Sequence, residues 1–431
     1  MRFLNALFSF LLIPVFSTAQ LQVNSIDELI RYADRNGPAA KQARLMPEIA
    51  QQDVRITRSG LYPRVNAFAQ GDYYPILITQ IIPGAAFGRP EGEVVKVEFG
   101  LPYTLQTGAE FSMPVVNLEK WAALKRSKAE YAEAQWGSKA ALEDYHIQLT
   151  QAYYQVLANR EVLRLNQENV TTTNELIRIM QDKLDAGVIN PADFNRSKNL
   201  QLDVRTLDAT YKRMLELSLN ALKRLIAADD GIAVNESIGD YEWPVISSPA
   251  AISNRAAWHE AEFKIRAAEL AVAEASRGGL PKLGLAGRYT YNYQTKLQED
   301  FEGVQFNMAN VNMRLDVPLF QGNYYRALKK KSKLLLESAH YEQEATTAEL
   351  TQQQSDWFVQ YTTAFNKNAE LKQKVETTRE NLKIANLSLK EGVMEFDQYN
   401  EIFREYNRAK IEYLQNLSDG ILYHLLSTQT F

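Results

Sequence analysis

The stretch LDVPLFQGNYYRALKKKSKLLLES (315–338) echoes an earlier one, FSMPVVNLEKWAALKRSKAEYAEA (111–134), with Pro318 against Pro114. Each passes from alternating residues through a proline into a long run rich in helix formers. A strand that feeds a helix, twice in one chain, points to an internal duplication. The correspondence extends both ways. RSGLYPRVNAFAQGDYY (58–74) matches RGGLPKLGLAGRYTYNY (277–293), with Gly60 against Gly278 and Pro63 against Pro281. DAGVINPADF (185–194) matches KEGVMEFDQY (390–399). Pro114 to Gly187 is 73 residues and Pro318 to Gly392 is 74, whereas Pro63 to Pro114 is 51 against 37 for Pro281 to Pro318. That one unequal spacing falls where a loop is expected, and loops tolerate insertions. Each half therefore reads as helix, two strands, very long helix, glycine turn, helix. The expected organisation is a leader over 1–19, a first repeat over 20–230, a Gly/Pro/Ser-rich surface linker over 231–249 and a second repeat over 250–431.

The strands show period-two alternation. From Val95 to Val115 every odd position is apolar, aromatic or small, while Lys96, Glu98, Thr104, Gln106, Glu110 and Ser112 occupy even ones. KLGLAGRYTYNYQ (282–294) repeats the pattern, and 304–319 changes phase near Ala309. Alternation gives one apolar and one polar face. An ordinary sheet on a soluble core would share it, but the strand length and the tyrosines toward the strand ends favour membrane-spanning strands with an aromatic girdle. Four strands cannot close such a barrel, since the smallest have about 8, and open edges are not tolerated in lipid. Several chains must then pool their strands.

The helices carry the second signal. No proline interrupts the chain between Pro114 and Pro191, and neither glycine nor proline lies between Gly322 and Gly392. Apolar residues recur at heptad spacing along the first stretch: Leu142, Leu149, Val156, Leu163, Val170, Ile177, Leu184. The second has Leu350, Trp357, Ala364 and Leu371, then Val375, Leu382 and Leu389 after a four-residue step. A strict heptad repeat requires left-handed supercoiling. Polar and small neighbours such as Asn159, Asn166 and Thr173 suggest thin walls wetted on both sides.

Composition narrows the function. With 48 basic and 52 acidic residues the net charge is −4, which argues against nucleic acid as a partner. There is no cysteine, hence no disulfide, thiolate ligand or thiol nucleophile. MRFLNALFSFLLIPVFSTAQ (1–20) has the basic, apolar and small-residue order of a secretory signal, and its apolar part is too short to span a bilayer.

Catalytic and cofactor motifs are missing. His146, His259, His340 and His424 are scattered, and WHEAEF (258–263) lacks the second histidine of a zinc helix, so His259 reads as a helix-surface residue. AADDGIAVNE (227–236) lacks the carboxylate order of a calcium loop. KKKSK (329–333) reads as a solvated helix face, with a membrane headgroup contact as the alternative. No metal, cofactor or catalytic residue is expected. In KLDAGVINPADFNRSK (183–198), Gly187 fits a helix stop, while Asn190, Pro191 and Asp193 fit a capped restart.

Signal, duplicated strand pair, long hairpins and paired Gly-to-Asp turns together resemble the TolC family of outer-membrane efflux channels. GLYPRVN and GLPKLGL resemble its strand-opening motif, and VPLFQGNYYRALKKKS its strand-to-helix signature; MPVVNLEKWAALKRSK lacks the usual glycine. The resemblance implies an α+β membrane protein. In it a homotrimer pools four strands per chain into a 12-stranded β-barrel in outer-membrane lipid, continued by a long α-helical coiled-coil barrel. It implies a passive exit duct driven by an inner-membrane pump through a periplasmic adaptor protein. Gly187, Val188, Gly392 and Val393 become candidate adaptor contacts. Asp193 and Asp397 become candidate entrance residues, with Asn400 where the family carries a second aspartate. Two other classes compete. A soluble periplasmic coiled-coil adaptor or scaffold would share export and long helices, but not two equivalent hairpins with alternating strands. An exported hydrolase would need the motifs that are missing. Intact-mass measurement of the exported protein is expected to find residues 1–19 removed; retention of that segment would turn the leader into an anchor.

Overall fold

The computed structural model describes residues 21–228, 231–239, 241–296 and 303–428, so the expected leader lies outside it. The chain is mostly helical, with a minor sheet component. In order it forms β1 (Leu21–Val23), α1 (Ile26–Asn36), α2 (Pro38–Ser59), β2 (Arg64–Tyr73), β3 (Ile78–Pro83), β4 (Val94–Phe99) and β5 (Tyr103–Val116). Then follow α3 (Leu118–Asp185), α4 (Pro191–Ile226), β6 (Ile232–Val234), α5 (Ala256–Arg277), β7 (Lys282–Thr295), β8 (Val304–Asp316), α6 (Tyr324–Glu391) and α7 (Phe396–Thr428). The two breaker-free stretches are helices of 68 residues each.

Two compact units are built from alternating segments, Met1–Met46, Trp136–Glu260 and Glu344–Phe431 in one, Pro47–Gln135 and Ala261–Gln343 in the other. The second unit holds a four-stranded antiparallel sheet in the order β2-β5-β7-β8. Its register places Val65, Ala67, Leu105, Ala109, Phe111, Met113, Leu285, Tyr289, Tyr291, Val311, Met313 and Leu315 on one face. Those side chains are largely uncovered; Val311 is 77% exposed. The opposite face carries Asn66, Gln106, Glu110, Arg288, Thr290, Asn292 and Asn310. Phe306 and Met308 fall on that polar face too, the structural form of the phase change at Ala309.

The long alternating run divides differently from the expectation of one strand over Val95–Val115. Gly100 sits at φ 92 and Pro102 offers no N–H, so the ladder stops between β4 and β5. β4 pairs instead with β3 in a separate two-stranded ribbon. The extra length between Pro63 and Pro114 is this ribbon rather than plain loop.

In the first unit the heptad seams are where the helices pack. Leu149, Val156 and Leu163 are buried, as are Leu350, Trp357, Ala364, Leu371, Val375 and Leu389. The polar neighbours are not wetted as expected. Thr173 bonds back to the Asn169 carbonyl at 2.9 Å, and buried Asn166 donates across to the Val204 carbonyl at 3.1 Å. Buried amides and hydroxyls require such partners, so here polarity marks hydrogen bonding, within the helix at Thr173 and across helices at Asn166. The linker is likewise less superficial than its composition suggested. β6 pairs in parallel with β1, and Ile232, Val234 and Ile238 enter the same core as Leu29, Tyr153 and Leu222. Gly420 leaves the space into which Trp243 packs, since a Cβ there would lie 2.0 Å from the ring. Among the described residues no helix is long and apolar enough to cross a membrane.

Leu149 is fully buried in the core cluster that it shares with Tyr153 and Leu222. Leu149→Ala is therefore expected to lower stability by about 2–5 kcal/mol, measured as a lower midpoint of helix loss by circular dichroism.

Candidate functional site at the helical turns

Both long helices end in the same way. At the first turn Gly187 takes φ 70, the Val188 N–H donates to the Lys183 carbonyl at 2.8 Å and the Gly187 N–H to the Leu184 carbonyl at 2.9 Å. At the second, Gly392 takes φ 78, with Val393 donating to Ser388 at 3.0 Å and Gly392 to Leu389 at 3.2 Å. These are paired Schellman closures, in which glycine supplies the left-handed residue that satisfies the last carbonyls. The chain restarts through Asn190, whose side chain accepts from the Asp193 N–H at 2.9 Å, with Pro191 in the first turn of α4. Asp193 and Asp397 lie in the first turns of α4 and α7, where the helix dipole favours a carboxylate. Val188 and Val393 stand out at the turn tips, 64% and 80% exposed.

A small core fixes the two turns beside each other. Leu176, Met180, Leu200, Val204, Ala385, Leu389, Phe396, Tyr399 and Phe403 pack together, with Tyr399 and Phe403 stacked at 6.2 Å between ring centroids. Two cations then cross between the hairpins. The Lys183 ammonium donates to the Leu389 carbonyl at the end of α6, where the dipole is negative. The Arg196 guanidinium lies 2.6 Å from Asp397 and 3.6 Å from Asp193. Both entrance candidates thus converge on one arginine. Arg196 and Asp397 are both more than half exposed, and such pairs contribute about 0–1 kcal/mol. The link orders the turns without locking them.

Asn400 sits one helical turn beyond Asp397, half-buried, with its Oδ1 unpartnered among the described residues. It does not join the Arg196 cluster. Arg196 and Lys183 were missed from sequence. The i,i+3 spacing of Asp193 and Arg196 was readable, but nothing local announced that Arg196 reaches Asp397, 201 residues away. The histidines take structural places: His146 pairs with Asp34 at 2.9 Å, and His424 meets the Tyr241 hydroxyl at 2.6 Å. Burial pushes the His424 ring below the usual imidazole range. His259 is half-buried against Trp136 at 4.3 Å rather than on an open helix surface. Among the described residues no group of three or more histidine or acidic side chains is arranged to hold a metal ion. Asp229 and Asp230 of the acidic loop lie outside the described residues.

Comparison with solved structures places this fold. The Campylobacter jejuni CmeC outer membrane channel superposes with a TM-score of 0.76 at 16% identity, covering 94% of this chain and 84% of that one. The outer membrane protein VceC from Vibrio cholerae gives 0.73 at 14% identity, over 93% and 95%. The chain shares its fold with these outer-membrane channels. Residues 29–228 match the family model for outer membrane efflux proteins, and Outer membrane protein TolC of Vibrio cholerae is 21% identical over 352 residues, 78% of this chain and 75% of that relative. These matches make the chain similar to the TolC family of outer membrane efflux proteins. It is an outer-membrane exit channel that reaches into the periplasm; the soluble scaffold reading is not favoured, and the family is one of channels rather than enzymes.

The Tyr399 side chain is fully buried, which raises its hydroxyl to about 12, and that hydroxyl lacks a hydrogen-bond partner among the described residues. Removing an unsatisfied buried group is expected to leave stability unchanged or raise it by up to about 1 kcal/mol. Thermal melts of Tyr399→Phe check this; a clear loss would mean that assembly supplies a partner.

Proposed function

We propose that three copies of this chain pool their sheets into a single 12-stranded barrel, and that their helical hairpins form a periplasmic tunnel whose entrance is the pair of glycine turns. The observation that carries this reading is the sheet itself. Among the described residues β2 and β8 each have a strand neighbour on one side only, and the sheet bears an uncovered apolar face. In hydrocarbon each unsatisfied backbone group costs several kcal/mol, so these edges need partners. Pairing β8 of one copy with β2 of the next supplies them without any new element. The matched Pro-to-Gly spacings support descent of the two halves from one repeat, with 20–230 and 250–431 as its copies.

In this reading the duct is passive, and an inner-membrane pump supplies the energy through a periplasmic adaptor. Val188 and Val393, held outward by Gly187 and Gly392, form the adaptor contact: two apolar tips per chain, six per trimer. Asp193, Asp397 and Arg196 form the gate. Its weak, exposed ion pair suits an element that must open when the adaptor docks. Asn400 replaces an acid with an amide, so the entrance carries a single ring of acidic sites.

Planar-bilayer recording of the purified trimer tests the duct. Wild type is expected to open ion-conducting pores, and trimers that open none would remove the reading. Arg196→Gln and Asp397→Asn are each expected to raise the open fraction, because either removes the cross-hairpin pair. Asp397→Asn is also expected to weaken cation selectivity and block by divalent ions, as charge at a narrow, low-dielectric mouth dominates the local field. Unaltered gating and selectivity in both variants would remove the gate assignment.

A further inference from the structure

The polar face of the sheet carries an unbalanced charge pattern at its helix-proximal end. Reading outward from that end by register, Arg314 lies across from Gly284, Arg64 across from Ser112, and Arg288 beside Glu110. The strand-to-helix junction forms a recess of about 520 Å³ on this face, lined by Arg64, Ser112, Lys120, Lys282, Arg314 and Asp316 among others. Four cations thus face one carboxylate. Lys282 is engaged by Glu119 at 2.5 Å, and the Lys120 ammonium donates to the Gly60 carbonyl at 2.9 Å. Arg64 and Arg314 are exposed and have no ion pair or side-chain hydrogen bond among the described residues. Arg288 spends its cation on the Phe68 ring, 4.1 Å away, and not on Glu110.

The small residues Ser112, Gly284 and Ala286 between the two arginines leave the recess open. Away from the recess Thr104, Thr290 and Asn292 are buried on this face, while Arg64, Ser112 and Arg314 at the recess itself are exposed. Two forked guanidiniums lining one recess with small side chains between them offer the chemistry that an oxyanion accepts, bidentate charged hydrogen bonds.

We propose that this recess is an anion-binding station on the lumen wall, taking solutes that bear phosphate, sulfate or carboxylate groups. It rests on the duct reading, which turns the polar face inward and repeats the recess three times around the barrel. Arg64 lies on one edge strand and Arg314 on the other, so closure brings one copy's arginine to the seam with the next. Rings of basic side chains of this kind favour anion passage.

The test is bilayer recording of the full-length trimer in purely zwitterionic lipid, with inorganic phosphate as the probe, comparing wild type with Arg64→Gln/Arg314→Gln. Wild type is expected to lose conductance when phosphate is added on the barrel side. The double variant is expected to be insensitive, with the chloride-to-potassium permeability ratio reduced by roughly tenfold, the low end of enrichment in a charged cleft. Arg64→Lys/Arg314→Lys keeps the charge without the fork; it is expected to retain the permeability ratio but bind phosphate less well, which also controls for folding. Equal phosphate sensitivity and permeability ratio in wild type and Gln variant, both forming pores, would overturn the station while leaving the duct intact. A difference that emerges only in anionic lipid would overturn the lumen placement in favour of a headgroup contact. Trimers of wild type that open no pore would overturn both readings.

Discussion

Everything in the sheet follows from the need of backbone N–H and C=O groups for partners. Water supplies them at an edge in solution; hydrocarbon does not. β2 and β8 satisfy one side each within the chain and leave the other open. In the proposed assembly, closure with copies of itself gives such a sheet the partners that its two open edges need. In the proposed trimer this requirement sets the oligomeric state, turns the polar face inward, and so determines what a solute meets.

The helical unit answers a different constraint. Very long helices must stop abruptly and reverse, and the last carbonyls of each must still be satisfied. Gly187 and Gly392 do this with left-handed backbone and the same pair of hydrogen bonds. The apolar cluster around Tyr399 then holds the two reversals together, while the cross-hairpin contacts of Arg196 remain exposed. In the proposed gate a firm scaffold carries a weak ionic clasp, which would open at small cost while the core stays packed.

Charge is divided between the two units. The turns concentrate carboxylates around one arginine, and the sheet base concentrates arginines around one carboxylate. The near-neutral total charge of the chain hides both local excesses. A composition that argues against a nucleic-acid partner therefore says nothing of these local excesses.

Periodicity made much of this legible before any coordinates. Period two marked the strand faces, heptad spacing marked seams buried at Leu149, Val156 and Leu163 but only half-buried at Leu142, Val170, Ile177 and Leu184, and Gly-to-Asp spacing marked both turns with their caps. Periodicity failed where backbone breaks outrank side-chain pattern: odd positions stay apolar straight through Gly100 and Pro102, yet the ladder stops there. It failed also for polar groups, since composition cannot tell a wetted Asn166 from one bonded to the Val204 carbonyl. The sequence by itself determined the long helices, the four principal strand regions, their order and their apolar faces, because those depend on neighbours within a few residues. Only the tertiary structure decided that Arg196 clasps Asp397, that Lys183 closes the end of α6, and that Arg64 and Arg314 share a recess. Those contacts join residues far apart in the chain, and an ion pair or a shared cavity leaves no local period to read.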